Sequence, residues 1–192
     1  MPSGRFIILG KRASGESDLV IDVLSKQGEK LSLWANNALK SRKRFAGGAL
    51  DPLNFVELHF TQSQKGYLNL KESRILYGFP ELRKDYSRLQ MAFQFLIWVS
   101  KGAKEGLVDN QVMFDLLGNG LRALETTKTP YILKLHFEIK LLYYLGFLEV
   151  TDDLEEFILR PLGEHSKIHL EQDEYQFLAD HMNKQMKSID LG

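Results

Sequence analysis

Four basic side chains fall within five consecutive residues of the chain: Lys40, Arg42, Lys43 and Arg44. Cations this close together repel one another unless a shared anion neutralises them. Glycines follow at positions 47 and 48, and they leave the backbone adaptable. The sugar-phosphate backbone of a nucleic acid requires positive charge but no fixed side-chain geometry. This basic loop, residues 40–45, is therefore predicted to bind nucleic acid, with a solvated charged loop as the alternative.

Two aromatic residues lie beside the basic loop, Trp34 before it and Phe45 at its end. A nucleobase stacked on either ring would contribute roughly 1–3 kcal/mol. For Trp34, packing in the protein core is the favoured alternative. Cations elsewhere in the first 80 residues extend the predicted nucleic-acid-binding set: Lys11, Arg12, Lys65, Lys71 and Arg74.

The charge of the chain is unevenly distributed. The formal net charge of the 192 residues is zero. Residues 1–80 nevertheless contain 12 basic and 7 acidic residues, whereas residues 149–192 contain 4 basic and 11 acidic residues. Each of these parts can present a surface of one charge sign although the net charge of the chain is zero. The basic first part of the chain is therefore predicted to bind polyanions.

Sequence signatures of catalysis are absent. The chain has no cysteine, which excludes disulfides, thiolate metal sites and a cysteine nucleophile. Phosphate-binding, dinucleotide and zinc-protease motifs are also missing. Ser17, in Gly15-Glu16-Ser17-Asp18-Leu19, resembles a nucleophile elbow only in part, because Leu19 replaces the second glycine. A polar turn is the favoured interpretation, and we predict that the protein is not an enzyme.

Metal binding is not predicted either. His165 and His169 have the spacing of metal ligands, with Glu164 and Glu171 nearby, but a second ligand cluster is missing. A group of four carboxylates is interpreted as a solvated helix start or an acidic loop: Asp152, Asp153, Glu155 and Glu156. Since no apolar stretch approaches the length of a membrane-spanning helix, we expect a cytoplasmic protein with no cofactor and no membrane contact.

Alternating polarity predicts five strands in the first part of the chain: 5–11, 18–24, 30–35, 54–60 and 67–76. The segments 30–35 and 67–71 alternate between apolar and polar residues, which is typical of strands with one buried face. Glycine-containing polar turns separate the strands. Five short strands at this spacing indicate a small barrel.

After residue 80 the apolar residues recur with helical spacing. A first helix reaching about Ser100 is predicted to pack through one stripe: Leu82, Tyr86, Leu89, Phe93 and Leu96. A second helix is expected to begin at Asp109 and to bury Met113, Leu117, Leu121 and Leu124. Gly118 and Gly120 lie inside that helix, where we expect close backbone packing.

Two further helices complete the predicted helical part. The segment 129–146 alternates in the manner of a strand, but Pro130 suits a helix start and Gly146 a helix end. We interpret it as the central helix of a bundle, and a last helix covers 173–187. The predicted class is therefore α+β, with a five-stranded barrel at 1–79 and an all-α domain at 80–192.

Several segments between residues 5 and 148 together resemble the bacterial RecO family of recombination mediators. The matching segments are Gly15-Glu16-Ser17-Asp18-Leu19-Val20, Gly28-Glu29-Lys30-Leu31-Ser32-Leu33, the basic loop with Gly48-Ala49-Leu50, Pro52-Leu53, Val56-Glu57-Leu58 and Gly78-Phe79-Pro80. The resemblance implies an N-terminal OB-fold, a helical C-terminal domain, and binding to single- and double-stranded DNA. It further implies strand annealing, partnership with RecR, and binding to the C-terminal tail of single-stranded DNA-binding protein (SSB). Many family members carry a four-cysteine zinc module, which this chain lacks.

From the residues and this resemblance we expect a DNA repair and recombination mediator located in the cytoplasm with the nucleoid. It would anneal complementary strands and help to load recombinase on SSB-coated single-stranded DNA. A non-catalytic adaptor whose basic loop binds acidic peptide tails is one alternative, and a metal-dependent nuclease using the acidic stretch is another. Cations near apolar helix faces are the expected site for the SSB tail: Arg122, Lys128, Lys134 and Lys140.

Overall fold

The computed structural model describes residues 3–41, 43–45, 47–103 and 111–189, and of residues 188 and 189 it describes the backbone only. Five strands come first: β1 (Ser3–Ser14), β2 (Asp18–Ser25), β3 (Lys30–Ala35), β4 (Phe55–Gln62) and β5 (Leu68–Tyr77). They form a closed barrel in the order β1-β2-β3-β5-β4, in which only the β3–β5 pairing is parallel. This is the five-stranded OB-fold arrangement. The predicted α+β class with an N-terminal OB-fold barrel is confirmed.

Alternation along the strands separates the barrel core from its outer face. In β3, Leu33 and Ala35 are fully buried in the core, and Leu31 packs against it. The opposite face of β3 carries Ser32 and Trp34, both half-buried. Apolar residues from all five strands complete the same core, so burial of one face of each strand stabilises the barrel.

The long connection between β3 and β4 closes part of the barrel. Its residues Phe45 and Leu50 belong to the core cluster. Asn54, itself buried, donates a 2.7 Å hydrogen bond from Nδ2 to the carbonyl oxygen of Gly48. The loop is therefore anchored by apolar burial and by a side-chain bond to its own backbone.

Five α-helices and two 3₁₀ segments follow the barrel. The α-helices are α1 (Tyr86–Gly102), α2 (Gln111–Thr126), α3 (Pro130–Tyr144), α4 (Asp152–Leu159) and α5 (Gln172–Ile189). The 3₁₀ segments are Leu82–Lys84 and Leu162–Lys167. Among the helices described, none has the length and apolar character needed to cross a membrane.

The stripe predicted for the first helix is confirmed only in part. Leu82 and Leu96 are fully buried, whereas Tyr86 and Phe93 are 80% and 38% exposed, so the expectation that these two pack inward is wrong. The buried positions of α1 are Ala92, Phe95, Leu96, Trp98 and Val99. The buried face is therefore rotated about the helix axis from the predicted stripe, and the two share Leu96.

Helix α3 is central to the helical region, as predicted. Its residues from Leu135 to Leu142 are all buried. The Phe137 ring stacks on Phe95 with 3.8 Å between ring centroids. A Cβ added to Gly120 would lie 2.8 Å from the Phe137 ring, so the expected close packing is found at Gly120. The four predicted core residues of α2 are fully buried, while the predicted cap Asp109 lies outside the described residues.

The chain divides into two compact units. One contains Met1–Phe79 and Ala103–Phe114, and the other contains Pro80–Gly102 and Asp115–Gly192. The four carboxylates, interpreted as a helix start or an acidic loop, lie in α4, and the segment that contains α4 and the second 3₁₀ turn folds as part of the second unit. Leu154, Phe157 and Leu162 are buried there, and this apolar spacing explains why the acidic stretch forms a helix.

Candidate nucleic-acid interface

Trp34 lies on the outer face of the barrel. Strand pairing places it opposite Val20 of β2 and Asn69 of β5, and Val20 in turn lies opposite Arg12. Directly paired residues share a face of the sheet, and the neighbours of Trp34 along β3 point into the core. The interpretation of Trp34 as a core residue is therefore wrong. Its indole is available on the outside of β3.

A cavity of about 590 Å³ opens on this face. Its lining consists of Trp34, Ser63, Gln64, Lys65, Tyr67 and Asn69. The Trp34 and Tyr67 ring centroids are 6.2 Å apart, and the ring planes meet at 68°. Tyr67 is 57% exposed. We call this feature the aromatic cavity; it lies between β3 and the β4–β5 turn.

The β4–β5 turn has a defined backbone conformation. The Ser63 amide donates to the Tyr67 carbonyl oxygen at 2.8 Å, and the Tyr67 amide donates to Ser63 Oγ at 3.0 Å. Gly66 adopts φ +87°, which glycine reaches without strain. The turn thus holds Lys65 and Tyr67 at the edge of the aromatic cavity.

Ser63 Oγ accepts from the Tyr67 amide, but three other polar side chains around the aromatic cavity have no partner among the described residues. In the part of the chain that the structure describes, the side chains of Gln64, Lys65 and Asn69 have no hydrogen bond or ion pair. The indole N–H of Trp34 also lacks an acceptor among those residues. The cavity therefore combines aromatic surface with donors and acceptors that a ligand can engage.

The basic loop supplies cations near the end of β3. Lys40 and Lys43 are exposed and form no ion pair with any described residue. Arg42 lies outside the described residues. Arg44 instead donates from Nη2 to the Asn36 carbonyl oxygen at 2.7 Å and lies 5.1 Å from the Phe45 ring centroid. Arg44 therefore holds the loop together.

Phe45 is not available to stack on a base. Its side chain is 7% exposed and belongs to the barrel core. The expected stacking role of Phe45 is therefore wrong, because burial of the ring anchors the loop.

The β1–β2 turn positions the basic loop. The Asn37 amide donates to Asp18 Oδ1 at 2.7 Å, and the Leu39 amide donates to the Ser17 carbonyl oxygen at 3.0 Å. Ser17 Oγ lies 3.1 Å from Asn37 Oδ1, in keeping with a polar turn. Asn37 has φ 54°, a left-handed conformation that asparagine tolerates.

Three other predicted cations are neutralised by carboxylates. Lys11 pairs with Asp51 at 2.5 Å, Arg12 with Asp22 at 2.5 Å and Arg74 with Glu57 at 2.8 Å. Lys71 is half-buried at an irregularity in the β4–β5 pairing. Exposed pairs contribute little to stability, but each carboxylate lowers the positive potential that a phosphate meets.

Cations of the helical unit differ in availability. Arg122 and Lys128 are exposed. Lys134 Nζ donates to Glu138 Oε1 at 2.6 Å. Lys140 is buried, with Nζ 2.6 Å from the Ile158 carbonyl oxygen, and burial lowers the pKa of its ammonium group. Lys140 is therefore not a rim cation, contrary to expectation.

The histidine pair does not form a metal site. His165 is buried, with Nε2 2.6 Å from Thr127 Oγ1 and Nδ1 2.9 Å from the Leu162 carbonyl oxygen, while His169 is exposed. Within the described residues, no group of three or more His, Cys, Asp or Glu side chains is arranged to hold a metal ion.

Tyr67 and Asn69 were missed by the sequence analysis. The pattern Tyr67-Leu68-Asn69-Leu70 already places these two residues on the face opposite the apolar ones. The same alternation in β3 places Trp34 with Ser32 on the outer face. Alternation therefore places Trp34, Tyr67 and Asn69 on the outer face of the barrel, whereas their proximity follows from the pairing of β3 with β5.

The fold and this surface define the class: an OB-fold barrel with an aromatic cavity and a basic loop, followed by a helical unit. The family model described as "Recombination protein O N terminal" matches residues 1–79. A protein of Exiguobacterium sp. strain AT1b named DNA repair protein RecO is 29% identical over 137 residues, covering 71% of this chain and 53% of the relative.

Other proteins of the same name show similar agreement. The Syntrophobacter fumaroxidans protein is 33% identical over 148 residues, which cover 77% of this chain and 58% of the relative. The Myxococcus xanthus protein is 27% identical over 146 residues, covering 76% and 59%. The family model and these relatives together support membership of the RecO family. The chain spans about half the length of the curated relatives it matches.

Proposed function

We propose that the protein is a DNA-binding recombination mediator of DNA repair without enzymatic activity. Residues 1–79 serve as the DNA-binding domain and residues 80–192 as a helical interaction domain. The observation that carries the proposal is the aromatic cavity, where Gln64, Lys65 and Asn69 have no side-chain partner among the described residues, together with the exposed Lys40 and Lys43 of the basic loop. The similarity to proteins named DNA repair protein RecO supports the same assignment.

The mechanism is neutralisation of phosphate charge. Cations on the barrel bind the phosphates of single- and double-stranded DNA and reduce the repulsion between two strands. Base pairing between the strands supplies the specificity of annealing. The same interaction helps to load recombinase on SSB-coated single-stranded DNA, with RecR as a partner. Such a protein works in the cytoplasm, at the nucleoid.

A charge-reduction experiment tests the role of the basic loop. Lys40→Ala and Lys43→Ala together remove two exposed cations, whereas Arg44 is left in place because it holds the loop. Fluorescence anisotropy with a labelled single strand should show lower affinity and a log–log salt slope smaller by about 1.4, at about 0.7 per phosphate contact.

The matched control is Lys184→Ala with Lys187→Ala, two exposed residues of α5. It changes the net charge equally but should leave the salt slope unaltered. Equal slopes for both double variants would remove the loop from the DNA site. If the loop variant loses affinity for acidic peptides but not for DNA, the adaptor alternative is correct.

A cavity in the helical unit is our proposed site for the acidic C-terminal tail of SSB. It has a volume of about 590 Å³ and is lined by residues that include Arg88, Met91, Lys128 and Tyr131. Of the four cations expected at this site, Lys128 is the one that lines the cavity. Apolar surface beside an exposed cation suits a peptide that ends in apolar and acidic groups.

Titration with a labelled tail peptide tests this site. Lys128→Ala should weaken binding severalfold, while Arg122→Ala, which removes another exposed cation, should not. A larger loss in the Arg122 variant would place the tail elsewhere on the helices.

A further inference from the structure

We infer that the aromatic cavity is a pocket for one unpaired nucleobase, so that the barrel selects single strands by capturing a base. The inference rests on the proposed function, because it assigns a ligand to the same surface. The basic loop binds the phosphates of any strand, whereas the aromatic cavity binds only a base that is not paired.

The two aromatic rings leave room for a planar ligand. Because the planes of Trp34 and Tyr67 meet at 68°, the rings do not cover each other's faces as stacked rings would. A base can therefore stack on one ring while the edge of the other borders it. The volume of about 590 Å³ lies within the range of roughly 300–1,000 Å³ that is typical of small-ligand sites.

The polar groups match the edge of a base and its phosphate. The Asn69 side chain offers both a donor and an acceptor, which is the pattern that forms paired hydrogen bonds with a base edge. Lys65, at the turn beside the cavity, supplies the charge for the adjacent phosphate. Since described residues engage neither side chain, a bound nucleotide breaks no hydrogen bond or ion pair of Lys65 or Asn69 with them.

Duplex DNA cannot use this pocket without breaking a base pair. In a duplex the base faces are stacked and the Watson–Crick edges are occupied, and extracting a base costs a few kcal/mol. The same cavity therefore favours single strands, ends and gaps. A base held there must also be released before it pairs, so capture and annealing alternate at this surface.

Fluorescence of Trp34 provides the test. The chain has two tryptophans, and Trp98→Phe leaves Trp34 as the single reporter. Oligothymidine should quench its emission, whereas a duplex of equal length should not, at matched occupancy measured by anisotropy. An oligonucleotide of abasic residues keeps the phosphates but should bind roughly tenfold more weakly, without quenching.

Two variants locate the effect. Tyr67→Leu and Asn69→Ala should each reduce the preference for single strands over duplex, while Lys40→Ala should lower both affinities together. As an independent readout, 5-fluorotryptophan in the otherwise unchanged protein should show a fluorine resonance of Trp34 that shifts with oligothymidine and a Trp98 resonance that does not.

The outcomes separate the inference from the proposed function. Normal anisotropy binding with no quenching and no shift of Trp34 would overturn the base pocket and leave DNA binding intact. Equal quenching by duplex and single strand would overturn the selection for free bases. Failure of every oligonucleotide to bind would reject both.

Discussion

Each of the two tryptophans of this chain lies beside a different lysine, and the surroundings of the two pairs differ. Trp98 is 8% exposed, and Lys134 Nζ lies 5.4 Å from its ring centroid while it donates to Glu138. Trp34 is half-buried on the barrel, and Lys65 beside it has no ion pair among the described residues. Tryptophan and lysine therefore have a structural role where the ring is buried and the ammonium group is paired. They are available for binding where the ring is accessible and the ammonium group has no partner among the described residues.

Helix α3 is a second region in which polar side chains have a structural role. Its buried polar residues donate to backbone carbonyls of α4: His136 Nε2 to Phe157 at 2.7 Å and Lys140 Nζ to Ile158 at 2.6 Å. These carbonyls lie in the last turn of α4, where helical acceptors lack intrahelical partners. These polar groups of α3 therefore fix α4, whereas the side chains of Gln64, Lys65 and Asn69 in the aromatic cavity have no partner among the described residues.

The largest effect should come from removing a cation that the core requires. Lys134→Met leaves Glu138, which is 1% exposed, without its partner. We expect the free energy of unfolding to fall by about 3 kcal/mol or more, measured by urea denaturation. Lys65→Met is the matched control on the barrel and should change stability by less than about 0.5 kcal/mol. Similar losses of stability in both variants would show that Lys134 is no more important to the fold than Lys65.

Acidification should weaken the contact between α3 and α4. Burial lowers the pKa of His136 to about 4 from an ordinary 6.5. Between these pH values the unfolded chain binds a proton that the folded chain does not, so stability falls as the pH decreases. The loss should reach about 3 kcal/mol near pH 4.

His136→Gln preserves a donor for Phe157 but does not titrate. The difference between this variant and the unchanged protein isolates His136 from Glu138, whose pKa is raised by burial and whose contribution has the opposite sign. His169→Gln, at an exposed position, serves as the control. An identical pH profile for the His136 variant and the unchanged protein would exclude this role.

A smaller loss is expected at the contact between α2 and α3. Gly120→Ala would place a Cβ 2.8 Å from a Phe137 ring that is itself stacked on Phe95. Overpacking of this kind should cost about 1–3 kcal/mol in thermal or urea unfolding. Gly163→Ala, where the added Cβ meets no atom within 4 Å, should be close to neutral. A neutral Gly120→Ala would mean that the two helices separate readily.

Local patterns predicted most of the fold. Alternation located all five strands, because one face of each strand is buried, and Pro130 and Gly146 marked the ends of α3 within two residues. The burial of α1 was predictable from spacing only in part, since Phe93 and Leu96 share one stripe of the helix but only Leu96 is buried. Helix α4 was undecided, since its acidic first turn suits a solvated loop equally well.

The candidate site was predictable only in part. The basic loop was evident from composition, and Lys40 and Lys43 are its available cations among the described residues. Whether Trp34 or Phe45 faces solvent depends on register and on which loop residue closes the barrel, and both were assigned to the wrong environment. Pairing of Trp34 with Asn69 across β3 and β5 is a contact between distant segments, and no short motif records it.

Photochemical crosslinking tests the central claim most directly. A single strand that contains 5-iodouracil, irradiated with the unchanged protein, should attach to Trp34 or Tyr67. After trypsin digestion the modified peptides should therefore be 31–40 and 66–71, and excess unmodified single strand should suppress both. Crosslinks confined to peptides of α1–α5, with none on these two, would contradict the assignment of the barrel surface as the DNA interface.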